Sequence, residues 1–236
     1  MIYSHNVLAS ILIYVKNSDF NSNFTRFQLF VVSLHNMNTT LTNEKWSENV
    51  ILVDADYTDK VAFDLIVNFE RMIGRHIPKA DMAKWIDCIA LDGGLRHGDH
   101  ETQVVFIHSK NSQQMDNFTP GQYRKELDGK AFKDPLGEFL LSCIPVEDIV
   151  KADDFFLDAL SVIANCKDVK RIMVIPNAEK IYDDIKQALR YADEDKHITV
   201  FAMQPMAGGN FRQEILGYSL MSALGISADE IEKKIK

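Results

Sequence analysis

The chain has 236 residues, of which 46% are hydrophobic and 25% are charged, the balance of a globular protein with a substantial core. This composition excludes disorder for most of the chain. The net charge of −8 also disfavours non-specific adhesion to nucleic acid, because contacts with phosphates need Lys and Arg. An enzyme that reaches phosphodiesters through a bound cation remains compatible with that charge.

The first 36 residues differ in character from the rest. Their apolar run, Val7–Val15, is too short to span a bilayer, which takes about 20 residues, and no basic start or cleavage site marks a signal peptide. We predict no membrane association, and we predict that translation begins at Met37, so that 1–36 is a non-native or disordered extension. The predicted folded domain covers 37–207, and a C-terminal helical tail covers 208–236.

The number and spacing of the cysteines indicate the type of cellular compartment. Cys88, Cys143 and Cys166 have no metal-ligand spacing, and their odd number argues against a disulfide framework. Free, mostly buried cysteines are typical of a reducing compartment. We therefore predict a cytoplasmic protein.

Apolar runs alternate with one long helical stripe in the first half of the domain. Asn49–Val53 is apolar on both faces, which favours a central strand of a parallel sheet. Asp59–Gly74 has the broad apolar stripe of a helix that stops at glycine. Further strands are predicted at Trp85–Leu91, Val104–His108 and Glu138–Ile144. The polar residues 109–135 predict an irregular insertion or lid with one short helix.

Strand and helix alternate more regularly in the second half. Helices are predicted at Asp153–Asn165 and Ala178–Tyr191, strands at Arg171–Ile175 and Ile198–Met203, and then a helix at Phe211–Leu224 and a short one opened by Ser227. This alternation implies parallel βαβ units with right-handed crossovers. The predicted fold class is therefore α/β: three layers with a mainly parallel central sheet, followed by the C-terminal helical tail.

Acidic residues follow several of the predicted strands. In an open parallel sheet, ligands bind beyond the carboxyl ends of the strands, so the candidates there are Asp54, Asp56, Asp92, Asn177 and Glu179, with Asp153 and Asp154 at a helix start. Carboxylates that converge repel one another unless a cation neutralises them, and Mg²⁺ prefers such oxygen ligands. The structural interpretation is that Asp153 and Asp154 cap their helix and that Asp92 makes a turn.

Three segments resemble the NYN branch of the PIN-like nuclease superfamily. They are Val50–Asp54, Val150–Leu160 and Arg171–Ile175 with the helix and strand that follow it. The resemblance implies a PIN/NYN-like fold and matches the family's catalytic residues to Asp54, Lys151, Asp154 and Asp158. The third motif, Ser-Gly-Asp-x-Asp in the family, is Pro-Asn-Ala-Glu at 176–179 here, which reduces a carboxylate pair to one acid. The chain is also similar in general to uncharacterised proteins of Bacteroidetes.

A second resemblance involves the same strand end. The segment Asp54-Ala-Asp56-Tyr-Thr58 is similar to the Asp-x-Asp-x-Thr signature of haloacid-dehalogenase-type phosphatases. That resemblance implies Asp54 as nucleophile and Asp56 as general acid and base. The family prefers glycine where Tyr57 stands, and its later acidic pair is missing here.

The preferred hypothesis is a metal-dependent phosphodiesterase or ribonuclease of the NYN/PIN-like type. The hypothesis has Asp54, Asp154, Asp158 and Lys151 as catalytic residues, with Mg²⁺ or Mn²⁺ activating a water. The predicted metal ligands are Asp54, Asp56, Asp154 and Glu179, and the predicted partner is RNA or a phosphorylated small molecule. The alternatives are a non-catalytic binding or assembly protein on the same fold and the phosphatase that uses Asp54 and Asp56.

Overall fold

The computed structural model describes residues 45–148 and 150–235. In chain order the elements are β1 (Asn49–Asp54), α1 (Ala55–Ile73), β2 (Ala80–Asp81), α2 (Met82–Asp92), β3 (Glu101–Ser109), β4 (Phe118–Thr119), a π-helical turn (Tyr123–Leu127), β5 (Lys130–Asp134), β6 (Gly137–Val146), α3 (Ala152–Asn165), β7 (Arg171–Ile175), α4 (Ala178–Ala188), β8 (His197–Ala202), β9 (Arg212–Ile215), α5 (Leu216–Ala223) and α6 (Ala228–Ile235). The expected N-terminal extension, 1–36, and the expected start at Met37 lie outside the described residues.

A seven-stranded sheet organises these elements in the order β5-β6-β3-β1-β7-β8-β9. Every neighbouring pair is parallel except β5 and β6. Without β5, the strands numbered along the chain have the spatial order 3-2-1-4-5-6, which is the order of a doubly wound sheet. The predicted α/β class with a mainly parallel central sheet is confirmed.

The centre of the sheet coincides with the most apolar run of the sequence. Residues Val50–Val53 of β1 are fully buried, because β3 and β7 pair with the strand on either side and helices cover its faces. Helix α1 then begins directly after Asp54 and ends at Gly74, whose φ of 80° gives the left-handed turn that glycine favours. The sequence predicted both β1 and the glycine stop.

The strand predicted at Trp85–Leu91 is wrong, because this run forms most of helix α2. Asp81 caps the helix by accepting a hydrogen bond from the Lys84 amide at 3.1 Å. Its buried residues, Met82, Trp85, Ile86, Ile89 and Ala90, recur at helical spacing. A helix with such a wide apolar face has the short continuous apolar run of a buried strand, so periodicity could not separate the two.

The predicted C-terminal helical tail is helical only in part. The expected helix at Phe211–Leu224 is strand β9 followed by α5, and β9 pairs with β8 in the central sheet. Helix α6 does begin after a capping box: the Ser227 hydroxyl accepts from the Glu230 amide, and the Glu230 carboxylate accepts from the Ser227 amide at 3.1 Å.

The insertion at 109–135 is more ordered than the sequence suggested. It contributes β4, which pairs with β2, and β5, which pairs with β6, and its π-helical turn packs near the end of β3. Within the described residues, no helix is long and apolar enough to cross a membrane. The three cysteines are free.

Candidate functional site at the carboxyl edge of the sheet

The order in which strands are added reverses at β1. The chain places β3 and β6 on one side of this strand and later β7, β8 and β9 on the other. In doubly wound sheets, the crevice beyond the carboxyl ends of these strands is the usual ligand site. Four charged side chains meet there: Asp54 at the end of β1, Asp56 in the first turn of α1, Asp153 in the first turn of α3 and Lys180 in the first turn of α4. We call these residues the carboxyl-edge cluster.

Asp54 is the most perturbed member of the cluster. The pKa of this carboxyl is raised from 3.8 to about 6, mainly by burial and to a smaller extent by the charges of Asp56 and Asp153. The Tyr57 amide, which donates to Asp54 Oδ1 at 3.0 Å, and the ammonium of Lys180 act in the opposite direction. Asp54 therefore changes its protonation state close to neutral pH, which is a common property of functional carboxylates.

Lys180 supplies positive charge to the cluster. Its Nζ lies 2.5 Å from Asp153 Oδ2, and the Asp153 side chain is only 21% exposed. The hydrogen bond and charge of Asp153 raise the pKa of Lys180, with a smaller contribution from Asp54. The Lys180 side chain is 64% exposed, and its ammonium pairs with Asp153 and lowers the pKa of Asp54.

The other acidic residues at this edge have donors of their own. Asp56 Oδ2 accepts from the Ser109 amide at 2.7 Å, which ties the start of α1 to the end of β3. Glu179 Oε2 accepts from the Tyr57 hydroxyl at 2.6 Å. Burial and this carboxylate raise the pKa of Tyr57 well above its ordinary range, so the phenol remains a donor.

The predicted residues Asp154, Asp158 and Lys151 lie further out. All three are exposed. The carboxylate that acts on Asp158 is Asp154, one helical turn earlier, and neither appears among the charges that shift the pKa of Asp54. Asp154 reaches the cluster only through a weak effect on Lys180. The structure therefore brings Asp153, rather than Asp154, beside Asp54.

Asp92, expected after a second strand, lies at the opposite side of the sheet. It ends helix α2, and after burial the group that most raises its pKa is Glu214 of β9. The following residue, Gly93, contacts Arg171, the first residue of β7. The error in the secondary structure at Trp85–Leu91 is the reason that Asp92 was placed among the site candidates.

The predicted metal ligands, Asp54, Asp56, Asp154 and Glu179, are not gathered into one group in the described residues. Among residues 45–148 and 150–235, no three His, Cys, Asp or Glu side chains form a group that could hold a metal ion. The oxygen chemistry of Asp54, Asp56 and Asp153 suits Mg²⁺, but Lys180 already bonds to Asp153, and backbone amides bond to the other two. Each of these carboxylates thus already has a hydrogen-bond or ion-pair partner from within the chain.

The start of α1 is also closed to phosphate groups. A helix N-terminus binds anions through its free amides and its dipole. Here the Asp54 carboxylate caps α1, and Asp56 adds a second negative charge in the first turn. The start of α1 therefore offers no anion site, which disfavours a dinucleotide cofactor whose pyrophosphate would bind there.

A cavity of about 230 Å³ lies beside the cluster, under the 109–135 insertion. His108 and Tyr123 form part of its wall and stack with ring centroids 3.7 Å apart. The Tyr123 hydroxyl is buried, with Ser112 as a polar neighbour, but it makes no hydrogen bond within 3.5 Å. Burial strongly raises the pKa of this phenol, so it stays neutral.

We expect Tyr123→Phe to leave the free energy of unfolding unchanged or to raise it by up to about 1 kcal/mol. A buried hydroxyl without a partner carries a desolvation cost that phenylalanine removes. Tyr57→Phe is the matched control, since it removes a hydroxyl that donates to Glu179, and it should cost about 1 kcal/mol. Urea unfolding of the three proteins measures both effects. A loss of more than about 1 kcal/mol in Tyr123→Phe would show that the hydroxyl has a partner.

Lys180 was not among the candidates, and Asp153 was a candidate but was not one of the predicted catalytic or metal-binding residues. The signal for Lys180 was its position in the first helical turn after β7, one residue beyond Glu179. For Asp153 the signal was equal to that for Asp154, since both carboxylates open the same helix. Which of two adjacent residues faces a strand end depends on the rotation of the helix, and the sequence did not give that rotation.

Comparisons with known proteins assign the chain to a family. No curated protein and no solved structure matches it. One family model matches residues 43–231, which include β1 to β9 and most of the C-terminal helices. The chain belongs to this family, DUF6621, which is described as a family of unknown function.

Proposed function

We propose that this chain is a non-catalytic binding domain on a nuclease-like, three-layer α/β fold. One observation carries the proposal: Lys180 Nζ lies 2.5 Å from Asp153 Oδ2 and also acts on Asp54. A metal-dependent nuclease needs its carboxylates free for a divalent ion. In this chain a lysine of the same polypeptide takes the role of that ion.

The end of β7 supports the same proposal. The family that the chain resembles has a carboxylate pair after this strand, whereas this chain has Asn177 and Glu179. The Asn177 side chain makes no capping bond to α4, and Glu179 is engaged by the Tyr57 hydroxyl. Two of the positions that would bind metal are thus an amide and a carboxylate that already has a donor.

The phosphatase alternative has less support. Its signature prefers glycine where Tyr57 stands, and the Tyr57 hydroxyl here donates to Glu179. The second aspartate of that signature, Asp56, accepts a hydrogen bond from the Ser109 amide. That bond holds one oxygen of this carboxylate against the backbone at the end of β3.

Removal of the lysine charge tests the role of Lys180. We expect the wild-type melting temperature to be unaffected by millimolar Mg²⁺ or Mn²⁺, and Lys180→Met to gain a Mn²⁺-dependent increase of several degrees, because the freed carboxylates then attract the ion. Lys186→Met is the matched control, because Lys186 lies on the same helix and pairs with Asp183 at 2.7 Å. It should show no such increase.

Activity assays complete the test. Bis-p-nitrophenyl phosphate and p-nitrophenyl phosphate with Mn²⁺ should give no hydrolysis above that of Asp54→Asn. Metal-dependent stabilisation of the wild-type protein, or hydrolysis lost in Asp54→Asn, would overturn the non-catalytic proposal. If neither wild type nor Lys180→Met responds to metal, Lys180 is not a substitute for a cation.

A further inference from the structure

The amino edge of the sheet, where the parallel strands begin, has the opposite electrostatic character to the carboxyl edge. A cavity of about 330 Å³ opens there between the starts of β7, β8 and β9. Its charged wall residues are Arg171, Lys196 and Arg212, and the wall also contains His197. No carboxylate lines this cavity, which is unusual in a chain with a net charge of −8.

Arg171 is held in place by two glycines. Its Nη1 donates to the Gly93 carbonyl at 2.6 Å. Gly94 has a φ of 88°, and a Cβ atom there would lie 2.8 Å from Arg171 Nη1, so a side chain would displace the guanidinium. Within the described residues, Nε and Nη2 of Arg171 have no hydrogen-bond partner. The arginine is therefore oriented by backbone while most of its donors stay free.

The neighbouring cations are better satisfied than Arg171. Arg212 pairs with Glu214, and Lys196 donates to the carbonyls of Cys166 and Val169. Arg171 is half-buried, and among the described residues it forms no ion pair, unlike Arg212. Burial lowers its pKa first, then the charge of Arg96, against a smaller opposing effect of Glu48. A buried positive charge among like charges is stabilised by a bound anion.

We propose that this cavity binds a phosphate group of a small phosphorylated molecule, with Arg171 as the principal ligand. A guanidinium presents paired donors that match phosphate oxygens, and Lys196 and Arg212 add positive charge around it. A second cavity of about 470 Å³ shares Arg171 and His197 with the first. Because Glu48 and Asp195 also line this second cavity, it suits a neutral or cationic part of the molecule rather than a second phosphate. The site lies at the edge opposite the carboxyl-edge cluster and does not depend on the function proposed for that cluster.

Titration calorimetry with inorganic pyrophosphate is the direct test. We expect wild type to bind with an affinity that falls as ionic strength rises, and Arg171→Met to bind at least about tenfold more weakly. Asn210→Asp tests the site without removing a structural contact, since Asn210 is exposed on the cavity wall. It should weaken binding to a similar degree. Lys60→Met removes a lysine charge from an exposed position of α1 and should bind like wild type.

The remaining outcomes decide against the proposal. It is overturned if pyrophosphate does not bind at millimolar concentration, or if wild type, Arg171→Met and Asn210→Asp have the same affinity. Tighter binding of a single-stranded RNA without terminal phosphates than of pyrophosphate would assign the site to a nucleic acid backbone instead. Asp54→Asn should leave pyrophosphate binding unchanged, so this test and the metal titration fail independently.

Discussion

Replacing Asp54 with asparagine is expected to stabilise the protein by about 2–3 kcal/mol at pH 8 and to change its stability little at pH 4. Ionising this buried carboxyl costs free energy, since its pKa rises from 3.8 to about 6 on folding, and each unit corresponds to about 1.4 kcal/mol. Asparagine lacks the charge but is an equally good helix cap, so the hydrogen bond from the Tyr57 amide is preserved.

The direction of the pH effect follows from proton linkage. Between pH 3.8 and about 6, the folded state holds the proton of Asp54 more tightly than the unfolded state does. Stability is therefore greatest below this window and falls as pH rises through it. Denaturant unfolding of wild type and Asp54→Asn at several pH values isolates the effect. Asp64→Asn, on the exposed face of α1, should change stability by less than about 0.5 kcal/mol throughout.

A different result would change the view of the cluster. If Asp54→Asn is less stable than wild type at pH 8, the ionised carboxylate makes a stabilising contact that outweighs its burial. Lys180 is the group that would then provide it, because its charge already lowers the pKa of Asp54. The double variant with Lys180→Met would separate the two explanations.

Replacing Trp85 with alanine is expected to lower the free energy of unfolding by about 3–5 kcal/mol. Trp85 is fully buried in the core, and its ring packs edge-on against Phe118 with centroids 5.3 Å apart. This contact joins α2 to the small β2–β4 sheet, so its loss leaves a cavity that rigid neighbours fill only in part.

Trp85→Phe should cost much less than the alanine change, by about 2 kcal/mol or under, for two reasons. Phenylalanine fills most of the space, and it removes the indole N–H, which is buried without a hydrogen-bond partner. Thermal or urea unfolding of both variants measures the difference. Phe63→Ala serves as control, because Phe63 is 52% exposed and should change stability by less than about 0.5 kcal/mol. Equal losses in the two Trp85 variants would mean that the N–H has a partner.

The sequence predicted correctly those strands and helices whose hydrophobic pattern is compatible with only one type of secondary structure. Arg171–Ile175 is a short, continuous apolar run between polar residues, and it forms β7 with the same bounds. Trp85–Leu91 has the same appearance but belongs to a helix, α2, which packs against α5 and against β2. Periodicity alone cannot assign a short continuous apolar run of this kind to a strand or to a helix.

The sequence allowed the location of the candidate site, at the carboxyl edge of the sheet, to be predicted, but not the full set of side chains that meet there. Asp54 and Asp56 follow directly from the rule that ligands bind beyond the ends of parallel strands. Lys180 did not, because its role depends on Asp153, which lies 27 positions earlier in the chain and meets it only in the fold. Arg171 could not be predicted as a site residue either. It begins β7 and therefore lies at the amino edge of the sheet, whereas the rule points only to the carboxyl edge.

The two outermost strands of the central sheet have a consequence for solubility. β5 and β9 are short and carry charged residues, with Lys130, Lys133 and Asp134 in one and Arg212 and Glu214 in the other. Charges on terminal strands oppose the addition of strands from other molecules. Truncation before Arg212 would remove this protection from β8, whose Val200–Ala202 segment is apolar and buried. Such a truncated protein should therefore form aggregates with β-structure even where helices α1 to α4 remain intact.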